Sequence, residues 1–165
     1  MHHTEAVNKL EKSKEFDSWK KTHKDAYLVH FFKMLDKANE KLWQIGYYSP
    51  KTNLISVFIV NGAITKSEDS EVFKEQKKLV QPLILKDAVI DDIKALETAN
   101  KILNEKYKGS TVFKSFMILQ NIDAVGQVWN VTFVTNEFKT VNVKINSKSG
   151  ECISHKIVSL IQGKD

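Results

Sequence analysis

The sequence predicts an α+β protein in which helices cover antiparallel β-meanders. One segment, Asp92 to Tyr107, repeats its apolar residues with the period of a helix. Four segments that alternate apolar and polar residues follow it, and short turns separate them. Consecutive strands joined by short turns form an antiparallel meander, and a helix must then cover one face of that sheet.

The N-terminal region predicts two helices. Residues 1–21 are rich in Lys and Glu, and Phe16 and Trp19 stand three positions apart, as on one helix face. Thr22 to Asp25 resembles a capping box, in which the Thr hydroxyl accepts a hydrogen bond from the backbone N–H three residues on. A second helix over 28–39 follows from apolar residues at helical spacing, which are Leu28, Phe31, Phe32 and Leu35.

The rest of the first half predicts a hairpin and a third strand. Leu42 to Tyr48 and Leu54 to Val60 are the strands of the hairpin, and Ser49 to Asn53 is its turn. Asn61-Gly62 marks another turn, after which Ala63 to Lys66 continues the sheet.

The second half predicts a helix followed by four strands. Asp91 or Asp92 can cap the helix over Asp92 to Tyr107, and Gly109 suits the left-handed conformation that ends it. The four strands are Thr111 to Gln120, Gln127 to Thr135, Phe138 to Ile145 and Glu151 to Leu160.

One hairpin pattern occurs twice. Sliding the chain without a gap places Ile45 to Val60 over Val143 to Val158, and Ser and Ile residues then match in the turns and strands. A repeated pattern of this kind indicates how a protein is built. We therefore expect two related units, 1–86 and 87–165, and the sequence leaves open whether they share one sheet.

Charge and residue usage limit the partners of the protein. The net charge is +5, and every basic residue is Lys because the sequence contains no Arg. Specific recognition of phosphates and base edges relies on the planar guanidinium group of Arg. We therefore expect no nucleic-acid partner.

The cysteine count and the hydropathy pattern bear on localisation. Cys152 is the only cysteine, which excludes an internal disulfide and fits a reducing compartment. The N-terminus lacks the apolar stretch of a signal peptide, and no segment approaches the roughly 20 apolar residues of a membrane span. We expect a cytoplasmic protein without a membrane span.

The second half resembles a PepSY-type domain. The resemblance is carried by the helix IDDIKALETANKIL (90–103), the strand VWNVTFV (128–134) and the closing hairpin VNVKINSKSGECI (141–153). PepSY-type domains join a helix with an Ala-rich face to strands that end in a V-x-V-D-x-x-T-G-E-like hairpin. The first half, with LWQIGYYSPKTNLISVFIV (42–60), resembles a more diverged copy.

The chain departs from the PepSY pattern at two positions of the hairpin. It has Asn146 where Asp is usual and Ser149 where Thr is usual, while Gly150 and Glu151 are kept. The resemblance implies two PepSY-like units, each a helix packed on an antiparallel meander. It also implies a noncatalytic role, for which binding or inhibition of peptidases has been proposed, so peptidase regulation rests on the resemblance alone.

Motifs for catalysis or for cofactor binding do not occur in the sequence. Gly-rich phosphate loops, H-E-x-x-H and G-x-S-x-G are all missing, and the histidines lack paired ligand spacing. We expect no catalytic residue, no cofactor and no metal site, and therefore not an enzyme. Four aromatic residues allow two interpretations, a contact patch or core packing. They are Trp43, Tyr47, Tyr48 and Trp129.

The leading functional hypothesis is a noncatalytic binding module for a protein or peptide partner, received on a sheet face or a free edge strand. A homodimer formed through edge strands is a related expectation. The alternative is a carrier of a small apolar ligand, with a pocket between helix and sheet. Its lining would come from Phe113, Phe116, Met117 and Trp129.

Overall fold

A computed structural model of the chain describes residues 1–71 and 80–161. These residues form an α+β fold, as predicted, with helices α1 (His3–Glu11), α2 (Lys14–Thr22) and α3 (Asp92–Lys106). The strands are β1 (Tyr27–Met34), β2 (Trp43–Ser49), β3 (Leu54–Val60), β4 (Ile64–Lys66), β5 (Ser70–Glu71), β6 (Val112–Ile122), β7 (Gly126–Thr135), β8 (Lys139–Asn146) and β9 (Cys152–Ser159).

All the described strands belong to one antiparallel sheet with the order β4-β3-β2-β1-β6-β7-β8-β9, and the short β5 lies beside β3. The first half of the chain contributes two α-helices and the second half one, and in each half a four-stranded meander follows. The first strands of the two meanders, β1 and β6, pair with each other at the centre of the sheet. The two units of the sequence prediction therefore share one sheet.

The helices pack on one face of this sheet. In the first unit, Phe16 and Trp19 of α2 contact the rings of Tyr47 and Phe58. In the second unit, Ala95, Ala99 and Leu103 of α3 belong to the same buried cluster as the strand residues below them. We call this side the covered face and the opposite side, on which no described helix packs, the open face.

The predicted helix over 28–39 is wrong, because Tyr27–Met34 form the strand β1. Apolar residues at helical spacing also occur in a central strand, whose two faces are both apolar, and a short window does not separate the two structures. Here Phe31 points to the covered face and is 0% exposed, whereas Phe32 points to the open face. The capping box predicted at Thr22 to Asp25 is wrong for the same reason, because the strand β1 follows it instead of a helix. Thr22 instead ends α2, and its hydroxyl donates to the carbonyl oxygen of Trp19.

The predicted superposition of Ile45 to Val60 on Val143 to Val158 is also wrong. The first segment forms strands two and three of its meander, and the second forms strands three and four. Side chains alternate with a period of two residues in every strand. A gapless alignment of two hairpins therefore scores similarly when one meander is shifted by a whole strand against the other. The matching register instead carries β2 onto β7, and it aligns buried residues of the covered face: Trp43 with Trp129, Ile45 with Val131, and Tyr47 with Phe133.

Several local predictions are confirmed. Asp91 caps α3, and its carboxylate accepts a hydrogen bond from the backbone N–H of Lys94 at 2.8 Å. Gly109 follows that helix with a φ of +83°, and Gly150 closes the last hairpin with a φ of +79°.

None of the helices within the described ranges is long and apolar enough to cross a membrane.

A buried ion pair ties the two units together on the covered face. Lys33 of β1 donates from Nζ to Asp92 Oδ2, at the start of α3, at 2.8 Å. The same ammonium lies 4.7 Å from the ring centroid of Trp43, where a cation–π contact adds to the pair. This pair joins the central strand of the first unit to the start of the second unit's helix.

Because both units contribute to one core, we predict that a cavity made at its centre destabilises them together. Phe31→Ala should lower the free energy of unfolding by about 3–5 kcal/mol and leave a single cooperative transition. Chemical denaturation, followed by circular dichroism and by Trp fluorescence, measures both quantities. Phe113→Ala is the control, since Phe113 is 59% exposed; it should cost less than about 1 kcal/mol. Two separate transitions would contradict the shared core.

Candidate functional site

The four aromatic residues considered as a contact patch lie in the interior. Trp43 and Trp129 are 0% exposed, and Tyr47 and Tyr48 are each 3% exposed. Both indole N–H groups donate to backbone carbonyl oxygens of the chain itself. Side chains that are buried and hydrogen-bonded in this way offer no surface to a partner, so a contact surface must be built from other residues.

The four residues considered as a lining for an apolar ligand do not meet in one pocket. Met117 and Trp129 are 0% exposed and point into the packed core of the covered face. Phe116 points to the open face, and Phe113 is 59% exposed next to an irregularity in the β6–β7 pairing. The structure therefore distributes these side chains over both faces of the sheet.

An apolar cluster occupies the centre of the open face. It consists of Phe32 on β1 and of Phe116 and Ile118 on β6, all of them partly exposed. Phe32 is paired across the strands with Ile118, and the rings of Phe32 and Phe116 lie 5.7 Å apart. These side chains point away from every described helix, because their neighbours in sequence point to the core. The cluster lies where the two units join.

A depression of about 200 Å³ adjoins this cluster, and the side chains of His30, Phe32, Gln44, Ile118 and Gln120 line it. Gly46 of β2 is paired with His30. A Cβ atom at position 46 would collide with the imidazole ring. The missing side chain at Gly46 therefore lets His30 lie against the sheet and form one wall of the depression.

Burial lowers the pKa of His30 from 6.5 to about 4. The other described side chains that line the depression are amides and apolar groups, and desolvation is the cause of the shift. The imidazole is accordingly neutral near pH 7. The depression is an uncharged, mostly apolar recess with amide groups at its margin, which suits an apolar side chain or group.

The open face changes character over the second unit. Asn142 donates from its side-chain amide to Asn130 Oδ1 and to Thr132 Oγ1, and Lys144 donates to Asn142 Oδ1 at 2.7 Å. These four residues form a continuous polar network on β7 and β8. The open face is therefore apolar at the Phe32, Phe116 and Ile118 cluster and polar at this network on β7 and β8.

A second concave region, a cleft of about 360 Å³, lies between α3 and the connection from β1 to β2. Leu35, Ile93 and Leu96 supply apolar walls, and the Lys33–Asp92 pair lies at its base. Its remaining lining includes the carboxylates of Asp36, Glu40 and Glu97. Most of its lining is nevertheless apolar, so a carrier with a pocket between helix and sheet stays an alternative prediction for this cleft.

Within residues 1–71 and 80–161, no group of three or more His, Cys, Asp and Glu side chains could hold a metal ion. His3, for example, is 3% exposed and lies among the rings of Phe31, Trp43 and Trp129. Burial lowers the pKa of this imidazole, so the ring is a neutral packing element.

Sequence reasoning missed the apolar cluster for a specific reason. Helical spacing places Phe32 on the buried stripe of a helix, and the predicted ligand lining groups Phe116 with core residues. The signal that could have found the cluster is the strict alternation of a strand: once Phe31 is placed in the core, Phe32 must point to the other face. Only the pairing of β1 with β6 brings Phe32 and Ile118 together.

Comparison with known proteins supports the fold. No protein-family model matches the chain, and no curated protein matches it significantly. A crystal structure of a "putative lipoprotein (CD1622)" from Clostridium difficile 630 has a similar fold, with a TM-score of 0.56. The alignment covers 87% of this chain and 90% of that protein, at 16% sequence identity. This likeness concerns the fold alone, and the PepSY resemblance stays a hypothesis.

The environment of His30 predicts a pH dependence of stability. Because its pKa in the folded state, about 4, is below the unfolded value of 6.5, the unfolded chain binds more protons between these values. The free energy of unfolding should therefore fall as the pH drops from about 6.5 towards 4. His30 contributes a loss on the order of 1–2 kcal/mol between pH 7 and pH 5.

Denaturant titrations of His30→Gln at several pH values test this prediction, because the variant should lose stability less steeply between pH 7 and pH 5. His155→Gln replaces an exposed imidazole on β9 and is the matched control. If His30→Gln and the wild type show the same slope, the imidazole is not held neutral by burial.

Proposed function

We propose that the protein is a noncatalytic binding module and that its open face receives a protein or peptide partner. One observation carries the proposal: an apolar cluster with an adjoining recess lies at the centre of a sheet face on which no described helix packs. The PepSY resemblance, which implies a noncatalytic binding role, agrees with the proposal but does not name the partner.

The energetics favour this face as an interface. Removing apolar surface from water contributes about 25 cal/mol per Å², and exposed contiguous apolar patches commonly mark interaction sites. Interfaces concentrate their free energy in a few residues that fill pockets near their centre. Phe32, Phe116 and the recess beside them have that arrangement. An inserted apolar side chain of the partner would contact both units at once.

The edge strand β9 offers a second route to association. Among the described strands it pairs with β8 alone, and it carries Ile153, Ile157 and Val158 at 40–43% exposure. A long, exposed edge strand with apolar side chains can accept another strand. Self-association through β9 therefore stays a prediction beside the main proposal.

Substitution of the apolar cluster tests the proposed function. We predict that Phe32→Asp and Ile118→Asp each weaken capture of the partner at least about tenfold, because each places a charge in the centre of the interface. Quantitative mass spectrometry of proteins retained from the source organism's lysate compares these variants with the wild type. Lys101→Asp, on the exposed side of α3, is the control and should retain the partner.

The melting temperature of each variant must be measured alongside, since binding is interpretable only where the fold is retained. A partner that stays bound to both folded cluster variants would contradict the proposal. A partner lost from Lys101→Asp instead would place the interface on the covered side.

A further inference from the structure

The residues of the open face form rows that cross the strands. The pairing registers place Phe32, Ile118, Asn130 and Lys144 side by side on β1, β6, β7 and β8. A neighbouring row runs from Phe116 through Thr132 and Asn142 to Lys156 on β9. Along each row, an apolar side chain on β6 is therefore followed by polar residues and an ammonium group, on β8 in the first row and on β9 in the second.

The charges on this face have one sign. Among the described strand residues that the registers place on the open face, the charged ones are Lys114, Lys144 and Lys156, and no carboxylate occurs. The carboxylates of the second unit lie in its turns and on its helix, for example Asp123, Glu137 and Glu97. A partner that lies on these described strands therefore meets positive charge from them.

Lys144 and Lys156 lack a carboxylate partner within the described ranges. Lys144 donates to the amide oxygen of Asn142, whose own amide group is held by Asn130 and Thr132. Burial and the neighbouring Lys156 ammonium both lower the pKa of Lys144. The network therefore fixes the Lys144 ammonium on Asn142, and a bound anion would relieve its repulsion with Lys156.

We propose that the occupant of the open face is an acidic, amphipathic polypeptide segment. Its apolar side chains would contact the Phe32, Phe116 and Ile118 cluster, and its carboxylates would contact Lys144 and Lys156. This inference rests on the proposed function and adds the chemical class of the partner. Charge complementarity selects this class, because the charged residues that the described strands place on this face are all cationic.

The spacing of the apolar cluster and the ammonium groups fits such a segment. Ile118 and Lys144 lie two strands apart, which is roughly 10 Å at the usual separation of neighbouring strands. Residues two turns apart on one face of an α-helix have about the same separation. An amphipathic helix laid across the strands therefore reaches both the apolar cluster and the ammonium groups.

A nucleic acid fits the face less well. Lys144 and Lys156 are point charges without the planar donor fork that recognises phosphates bidentately, and the sequence has no Arg to supply one. A phosphate backbone that follows a row from the ammonium groups would also reach the apolar cluster. The cluster offers no hydrogen-bond donor or positive charge to the phosphates. Nucleic acid is accordingly the competing outcome of the test.

Selection from a displayed random peptide library tests the inference with a defined probe. The library is panned on the wild-type protein and counter-selected on Phe32→Asp. The enriched peptides should combine aromatic or aliphatic residues with an excess of Asp and Glu. Replacing Lys144 and Lys156 together by Gln should weaken their binding about five- to tenfold, as expected for two partly exposed ion pairs. Replacing Lys101 and Lys106 of α3 by Gln removes the same charge and should change nothing.

The outcomes separate this inference from the proposed function. Enriched peptides that lack acidic residues but still require Phe32 would overturn the inference and leave the binding module standing. No enrichment over the Phe32→Asp variant would overturn both. Tighter, Lys144- and Lys156-dependent binding of a DNA or RNA oligonucleotide than of the selected peptides would also overturn the acidic-peptide assignment.

Discussion

The antiparallel pairing of β1 with β6 is the constraint on which the rest of this structure depends. It joins the first strands of two meanders, so that the side-chain alternation of one unit continues into the other. Phe31 and Leu119 then share the covered face, and Phe32 and Ile118 share the open face. A shift of this register by one residue would exchange the two sets and expose the core.

The shared sheet explains why the helices lie on one side. Each unit must bury the apolar face of its meander, and continuity across β1 and β6 makes that face common to both units. The Lys33–Asp92 pair adds a fixed contact between the central strand of one unit and the helix of the other. Removing one partner of such a buried pair costs about 3–5 kcal/mol, because a charge is left buried without compensation. The open face does not have to pack against the helices, so its residues can differ from those of a core and can contact a partner.

The strands of the second unit could be predicted from the sequence, since Trp129, Val131 and Phe133 alternate with polar residues between clear turns. The helix α3 could be predicted for the same kind of reason, from its cap at Asp91 and its apolar stripe. The strand β1 could not, because a central strand is apolar on both faces and Phe31-Phe32 satisfies helical spacing equally well. The open-face site depends on pairings between residues far apart in sequence, such as Phe32 with Ile118, which no local pattern specifies.

The most direct test of the two-faced sheet is the reactivity of cysteines placed at consecutive positions of β7. Asn130 points to the open face and is partly exposed, whereas Val131 points to the covered face and is 0% exposed. In a Cys152→Ser background, Asn130→Cys should react with a maleimide under native conditions, and Val131→Cys should react only on unfolding. Equal native reactivity at the two positions, or the reverse order, would contradict the account.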